Sequence, residues 1–214
     1  LTMADNVMTF RALVKEVALQ QGVYASFMPK PLAPHPGNGM HTHLSLFQGG
    51  KNAFHEPGAE YGLSRMGRQF IAGIIEHAGE ISAVTNQWVN SYKRLQFGSE
   101  APTAATWGVS NRSAMVRVPT YRLGKAESRR VEVRSPDSAC NPYLAFAALL
   151  MAGLDGIRGK IDPGPASDKD LYDLPPRELK QIPTVCGSLR EALGALEADH
   201  EFLLAGDVFT EELI

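Results

Sequence analysis

Three segments of the chain alternate ionisable and apolar side chains, the pattern of a β-strand with one polar face. In the first, residues 40–47, the side chains of His41, His43 and Ser45 occupy every second position. Residues two apart in a strand lie about 6.6 Å apart on the same face, so this face could bind a metal ion or phosphate groups. Two exposed histidines on an edge strand are the simpler alternative, and the spacing alone leaves both open.

A carboxylate between two guanidiniums marks the second segment, residues 129–134. Arg130, Glu132 and Arg134 share one face, while the intervening valines point the other way. Such a row either neutralises itself as a ladder of ion pairs or places a metal-binding carboxylate between anion-binding arginines. Both interpretations stay open on the residue types alone.

The third segment, residues 113–119, adds two more arginines. Arg117 lies opposite an apolar face, and Arg112 stands directly before the strand. Nine of the 21 basic residues fall between Tyr92 and Arg134, and seven of these nine are arginine. Burying several guanidiniums without anions would be costly, so a polyanion such as ATP, held with a divalent metal ion, would explain the set. A solvated basic face is the alternative.

Glycine-rich phosphate loops do not accompany these arginines. The chain contains neither G-x-x-x-x-G-K-[ST] nor a strand-linked G-x-G-x-x-G. A bound nucleotide would therefore be held by arginines and metal in place of a backbone nest. The net charge of -2 argues against general nucleic-acid binding.

Hydrophobic periodicity supplies the elements that would position the three segments. The predicted helices are residues 5–21, 64–84 and 141–156. A capping box formed by Ser188 and Glu191 predicts another helix through Leu196. Residues 90–108 show no clean period and are predicted as a long loop. One-sided strands together with apolar helices predict an α+β fold.

Composition is typical of a globular protein, with 214 residues of which 44% are hydrophobic and 21% charged. This length suits one large domain or two small ones, and no apolar run reaches the roughly 18 residues of a membrane span. Two cysteines and no visible signal peptide favour a reducing, cytoplasmic location, without a membrane partner. Because the chain begins at Leu1 and stops at Ile214 within an acidic helical pattern, we expect it to be part of a longer protein.

Six motifs, in order along the chain, resemble the catalytic domain of glutamine synthetase. They are GNGMHTHLSL at 37–46, NSYKRL at 90–95, EAP at 100–102, NRSA at 111–114, RVEVRSPD at 130–137 and NPYLA at 141–145. The segment DLYDLPP at 170–176 is similar to the bacterial, dodecamer-forming type. The resemblance runs over essentially the whole chain.

The resemblance implies a fold, a reaction and partners. The fold would be a curved, mainly antiparallel sheet whose polar face lines the site, with helices packed on the outer side. The activity would be an ATP-dependent ligase that forms glutamine from glutamate and ammonia through γ-glutamyl phosphate. Two or more Mg2+ or Mn2+ ions per site would assist, and the full-length protein would be a homo-oligomer of two stacked rings.

The same resemblance also implies roles for individual residues. His41 and Glu132 correspond to ligands of the metal ion nearer the ATP phosphates. The residues implied in glutamate binding are Gly37, His41, Arg94, Glu100 and Arg134. Those implied on the nucleotide side are His43, Ser45, Arg112, Arg117 and Arg130. Those implied in catalysis are Arg94, Arg112 and Glu100, the last as a flap carboxylate that helps deprotonate the bound ammonium.

Tyr172 lies where regulated bacterial members carry an adenylylatable tyrosine. A plain exposed loop tyrosine is the alternative.

Two departures from the family pattern affect the predictions. One concerns the identity of the substrate, and the other concerns whether these residues form the whole catalytic site. Pro34, His35 and Pro36 stand where the family has Gly-Asp-Asn, so an asparagine that helps to hold glutamate is replaced by Pro36. A ligase that joins glutamate to another amine or a polyamine is therefore the alternative activity, and a non-catalytic structural relative is a third. We expect residues 1–214 to be part of one catalytic domain, inactive alone, since the remaining metal-binding glutamates, the amino-terminal domain and a C-terminal helix lie elsewhere.

Overall fold

A computed structural model describes residues 1–96, 101–120, 124–167, 177 and 182–214. The helices in this part of the chain are α1 (Thr2–Gln20), α2 (Arg65–Glu76), α3 (Ala78–Thr85), α4 (Val89–Arg94), α5 (Pro142–Gly159), α6 (Leu189–Ala198) and α7 (Glu201–Leu204). The strands are β1 (Thr42–Leu44), β2 (Phe47–Gln48), β3 (Lys51–Asn52), β4 (Ala104–Val109), β5 (Ala114–Val118) and β6 (Val131–Val133). Short 3₁₀ turns occupy Glu60–Gly62 and Ala126–Ser128.

The main sheet has four strands in the order β1-β6-β5-β4. Its β1–β6 and β6–β5 pairs are antiparallel, and the β5–β4 pair is parallel. The predicted α+β class with a mainly antiparallel sheet is therefore confirmed.

One face of this sheet belongs to the hydrophobic core. Val116, Val118, Val131 and Val133 are all fully buried, because alternate positions of β5 and β6 are apolar. Helix α2 packs against β4 and β5, and α5 packs against α2. The opposite face is thereby left for the ionisable side chains.

Helices α2 and α5 cross with their backbones nearly in contact. A β-carbon built on Gly73 would lie 2.1 Å from the Ala152 carbonyl oxygen and 2.7 Å from the Gly156 amide nitrogen. A β-carbon on Gly156 would lie 2.4 Å from the Gly73 amide nitrogen. Only glycine at both positions permits this approach, which sets the spacing between the two helices behind the sheet.

The predicted helix starts are largely confirmed. The Asn141 side chain accepts hydrogen bonds from the backbone amides of Tyr143 (3.0 Å) and Leu144 (3.4 Å), with Pro142 opening α5. Ser188 caps α6 by accepting from the Glu191 amide at 3.2 Å. The Glu191 carboxylate reaches Gly187 N at 2.7 Å, one residue before the position that an ideal capping box uses.

Three sequence predictions are wrong in extent. The strand expected at 40–47 is shorter and forms only β1. Its expected last residue, Phe47, belongs to a separate β2–β3 hairpin, whose two-residue turn is formed by Gly49 and Gly50, both with positive φ. The helix expected at 64–84 is broken at His77 (φ -92°, ψ 22°), although its apolar stripe continues through both halves. The segment 90–108, which was expected to be a loop, contains most of α4 and of β4. Strand β4 shows no alternation of polar and apolar residues because it is mostly buried on both faces.

Within the described residues, no helix combines the length and the apolarity that a membrane crossing requires.

The glycine crossing yields a stability prediction. Replacing Gly73 by alanine should lower the free energy of unfolding by about 3 kcal/mol, because the new methyl group would collide with the α5 backbone. Gly194→Ala in α6 is the matched control. A β-carbon there meets nothing within 4 Å, so this variant should be stabilised by up to about 1 kcal/mol. Urea unfolding of both variants measures the difference, and equal effects would show that the crossing is not tight.

Candidate active site

Strand register places three ionisable residues side by side across the sheet. His43 of β1 pairs with Glu132 of β6, and Glu132 pairs with Arg117 of β5. Because directly paired residues of antiparallel strands point to the same face, the three side chains form one row, which we call the charged row. The next pair along β5 and β6, Val116 with Val133, is apolar and faces the opposite side of the sheet. This apolar pair fixes the position of the charged row.

Glu132 is the centre of the charged row. Its side chain is only 2% exposed. Oε1 lies 3.1 Å from His41 Nδ1 and 3.9 Å from His43 Nε2, while Oε2 accepts a hydrogen bond from Arg117 Nε. The ion pair observed here therefore runs across the sheet to Arg117 of β5, whereas a ladder of ion pairs along β6 was one of the two alternatives that the residue types left open.

These contacts keep Glu132 ionised. Burial alone would raise the pKa of Glu132, but hydrogen bonds from His41 and Arg117 outweigh burial and lower that pKa to about 2. A buried carboxylate that remains charged at neutral pH is an oxygen ligand of the type that divalent cations require. The two oxygens have separate environments, one facing arginine and the other facing imidazole.

The spacing of His41 and Glu132 fits a shared divalent cation. Two neighbouring ligands that are each about 2.1 Å from an octahedral metal ion lie about 3 Å from each other. The observed Nδ1–Oε1 separation is 3.1 Å, the length of the hydrogen bond that His41 donates to Glu132, so a cation bound here would replace the proton on Nδ1. The His41 side chain is 39% exposed and the His43 side chain 41%, so this side of Glu132 is open to an entering ion. The donor set of one imidazole and one carboxylate suits magnesium, manganese or zinc.

A second contact fixes the ring of His43. Arg130 Nε lies 3.1 Å from His43 Nδ1 and can only donate, so Nδ1 accepts and any ring proton resides on Nε2. Burial lowers the pKa of His43, and Arg130 and Arg117 add to this effect, although Glu132 opposes it. His43 therefore presents a neutral ring beside two arginines.

Arg94 lies behind the glycine-rich approach to β1. It is 4% exposed and donates to the carbonyl oxygens of Ser135 (2.7 Å), Arg134 (3.1 Å) and Pro136 (3.4 Å). A β-carbon on Gly39 would lie 2.6 Å from Arg94 Nη2 and 3.2 Å from His41 Nε2. Glycine at 39 is thus required for Arg94 and His41 to approach the same backbone.

Comparison with known proteins identifies the family. The model of the glutamine synthetase catalytic domain matches residues 1–214. The chain belongs to the glutamine synthetase family. It is 61% identical over 203 residues to a glutamine synthetase of Mycobacterium tuberculosis, covering 92% of this chain and 45% of that protein.

Solved structures agree with this assignment. A GmaS/ADP complex is 42% identical and superposes with a TM-score of 0.84, over 95% of this chain and 46% of that one. A Plasmodium falciparum glutamine synthetase is 30% identical with a TM-score of 0.87, over 99% of this chain and 48% of that one. The chain spans about half the length of the relatives it matches. The resemblance inferred from the six motifs is confirmed.

The other residues that the glutamine synthetase resemblance singled out have varied positions. Arg134 follows β6 directly, is 6% exposed and donates its backbone amide to Met115 O at 2.9 Å. Ser45 and Arg112 are both exposed, after β1 and before β5 respectively. Gly37 packs closely, since a β-carbon there would lie 2.4 Å from Pro29 O. Glu100 and Tyr172 lie outside the described residues.

Two asparagines that sequence reasoning passed over hold the loop that contains the family departure. Asn90 accepts from the Lys30 amide (2.7 Å) and donates to the Lys30 carbonyl (3.0 Å). Asn38 donates from its side chain to Met28 O at 2.8 Å. Both lie within the quoted motifs, so their positions were available, but a hydrogen bond to a loop 10 or 60 residues away leaves no local signal.

The charged row predicts a strong dependence of stability on Arg117. In Arg117→Met, Oε2 of the buried Glu132 loses its donor, and the free energy of unfolding without added metal should fall by about 3 kcal/mol. Arg190→Met, at an exposed position of α6, is the control and should change it by less than about 0.5 kcal/mol. Denaturant unfolding followed by circular dichroism measures both. An unchanged midpoint for Arg117→Met would mean that His41 alone compensates the carboxylate.

Proposed function

We propose that the full-length protein is a glutamate–ammonia ligase that uses ATP. The observation that supports this most is the buried, ionised Glu132 held between His41 and Arg117 on the polar face of the sheet. Membership of the glutamine synthetase family and the identity of 61% to the Mycobacterium tuberculosis protein support the same activity. The structure of the GmaS relative is that of a complex with ADP, which supports a nucleotide as ligand.

Residues 1–214 would form part of one catalytic domain. This chain covers 45% of the Mycobacterium tuberculosis relative, and we infer that an amino-terminal domain, a C-terminal helix and further metal-binding glutamates complete the site. The isolated 214 residues would then be inactive.

The reaction has two steps. An oxygen of the glutamate γ-carboxylate attacks the γ-phosphorus of ATP, the bond to the bridging oxygen breaks, and ADP leaves. Ammonia then attacks the carbonyl carbon of γ-glutamyl phosphate and inorganic phosphate leaves, with Glu100 taking a proton from bound ammonium. Bound Mg2+ or Mn2+ would neutralise the charge that develops on the transferring phosphoryl group.

The chain's own residues would bind and orient the substrates. His41 and Glu132 would hold one metal ion, with Glu132 kept ionised by Arg117. On the nucleotide side, His43 is held in one tautomer by Arg130, so its ring is oriented before ATP arrives. Such pre-organisation lowers the cost of positioning a triphosphate for transfer.

The remaining nucleotide and glutamate contacts are proposed from family position. Ser45 and Arg112 are exposed where ATP could reach them. Arg94, Arg134 and the backbone of Gly37 would form the glutamate side. The Arg94 guanidinium already donates to three carbonyl groups, so we infer that it acts chiefly by holding segment 134–136 in place.

Assembly, location and modification are further parts of the proposal. As a family member the protein would be a homo-oligomer, with two stacked rings as the proposed arrangement. Cys140 and Cys186 are free thiols, which supports a cytoplasmic location. Tyr172 is proposed as an adenylylation site, with an unmodified loop tyrosine as the alternative.

A panel of amine substrates tests the proposed activity. The purified full-length protein would be supplied with ATP, glutamate and Mg2+ or Mn2+, and phosphate release measured with ammonium, methylamine, ethanolamine and putrescine. We expect the highest kcat/KM with ammonium and one glutamine formed per phosphate. A higher kcat/KM with another amine would support the γ-glutamyl-amine ligase suggested by Pro36. No turnover with any of them would support a non-catalytic relative.

Glu132 provides the sharpest test of the site. Glu132→Gln keeps the shape but removes the charge, so ATP turnover should fall by about a thousandfold or more while the far-ultraviolet circular dichroism is retained. Glu127→Gln is the matched control, because Glu127 is exposed and its contact is a surface pair with Lys125. Near-normal turnover of Glu132→Gln would remove this carboxylate from the site.

A further inference from the structure

A second group of metal-ligating side chains lies in the helical layer, away from the charged row. His77 separates α2 from α3, Glu80 lies in the first turn of α3, and Asp199 follows the last residue of α6. One potential ligand atom from each lies within 4.8 Å of the others. We call these three residues the His77 cluster. Helix α3 packs against α6, so the cluster joins two parts of the chain that are more than a hundred residues apart.

The imidazole of His77 is held in the way that metal-ligating histidines are held. It is 6% exposed and its ring stacks on Phe202, with centroids 3.8 Å apart and an interplanar angle of 17°. Its Nε2 lies 3.1 Å from Asp155 Oδ2 of α5. A carboxylate on one ring nitrogen fixes the tautomer and leaves the other nitrogen, here Nδ1, with a free lone pair for a cation.

Glu80 lacks a partner for one of its oxygens. Oε2 is fully buried and forms no hydrogen bond within the described part of the chain. A buried carboxylate oxygen without a donor is costly, and a cation beside it would compensate both this oxygen and the neighbouring Asp199.

We propose that His77, Glu80 and Asp199 bind a divalent first-row transition-metal ion, for which Zn2+ is the probe. One imidazole nitrogen and two carboxylate oxygens form a donor set that zinc accepts, with water as a fourth ligand. For zinc to bind, the distances between the ligand atoms must shorten from at most 4.8 Å to about 3.3 Å, which is the separation of two ligands in a tetrahedral zinc site. Asp199 is exposed at the end of a helix and can move by a change of rotamer.

Such an ion would act structurally. It would connect the α2–α3 junction to the end of α6, and through Asp155 to α5. The elements involved differ from the strands that bear the charged row, so this site is independent of the proposed ligase activity.

Variants of Asp199 test the site. The full-length protein would be stripped with a chelator and titrated with Zn2+, with bound zinc measured by elemental analysis. Wild type and Glu197→Gln, a control at an exposed position of the same helix, should bind one more ion per chain than Asp199→Asn. Zinc at about 100 times its dissociation constant should raise the unfolding midpoint of the first two by roughly 5 °C more than that of Asp199→Asn. Because all three proteins keep an identical sheet, zinc bound there cancels in the difference.

Asp155→Asn tests the orienting contact separately. It should retain the number of zinc ions but bind the ion of the His77 cluster about 10- to 100-fold more weakly. Equal zinc content and equal midpoint shifts in wild type and Asp199→Asn would overturn the site. An unchanged affinity in Asp155→Asn would overturn the role assigned to the Asp155–His77 contact.

Discussion

The buried carboxylate of Glu132 is the constraint on which the polar face of the sheet depends. A charge with 2% exposure is stable there only because His41 and Arg117 contact its two oxygens separately. The three residues come from different segments, which only the pairing of β1, β6 and β5 brings together. A shift of one residue in either pairing would turn Glu132 away from its partners. The ion pairs of Glu132 therefore favour this strand register, and the register in turn is needed to form them.

The apolar side of the same strands keeps that register. Val131 and Val133 are fully buried on the face opposite Glu132, and α2 covers β4 and β5. The contact of Gly73 with Gly156 then draws α5 close to α2. Helix α2 therefore connects the close contact with α5 to the apolar side of the sheet that bears the charged row.

Much of this arrangement could be predicted from the sequence, because strand alternation and helix caps are local signals. Alternation put Glu132 on a polar face, and the family motifs gave the fold. Local signals could not show that Glu132 pairs with Arg117, since this depends on register between distant strands. They also missed the break at His77, where the apolar stripe continues across a change of helix, and β4, which is too buried to alternate. The binding roles of the individual residues stay predictions.

Strand β1 is at one end of the sheet and, among the described strands, pairs with β6 along only three residues. His43 lies in this edge strand and His41 directly precedes it, whereas Glu132 and Arg117 lie on inner strands that have a partner on both sides. Fraying of so short a ladder costs much less than global unfolding. Backbone amides of β1 should then exchange with deuterium before those of β5 and β6, and the histidines would detach from the carboxylate while the rest of the sheet persists.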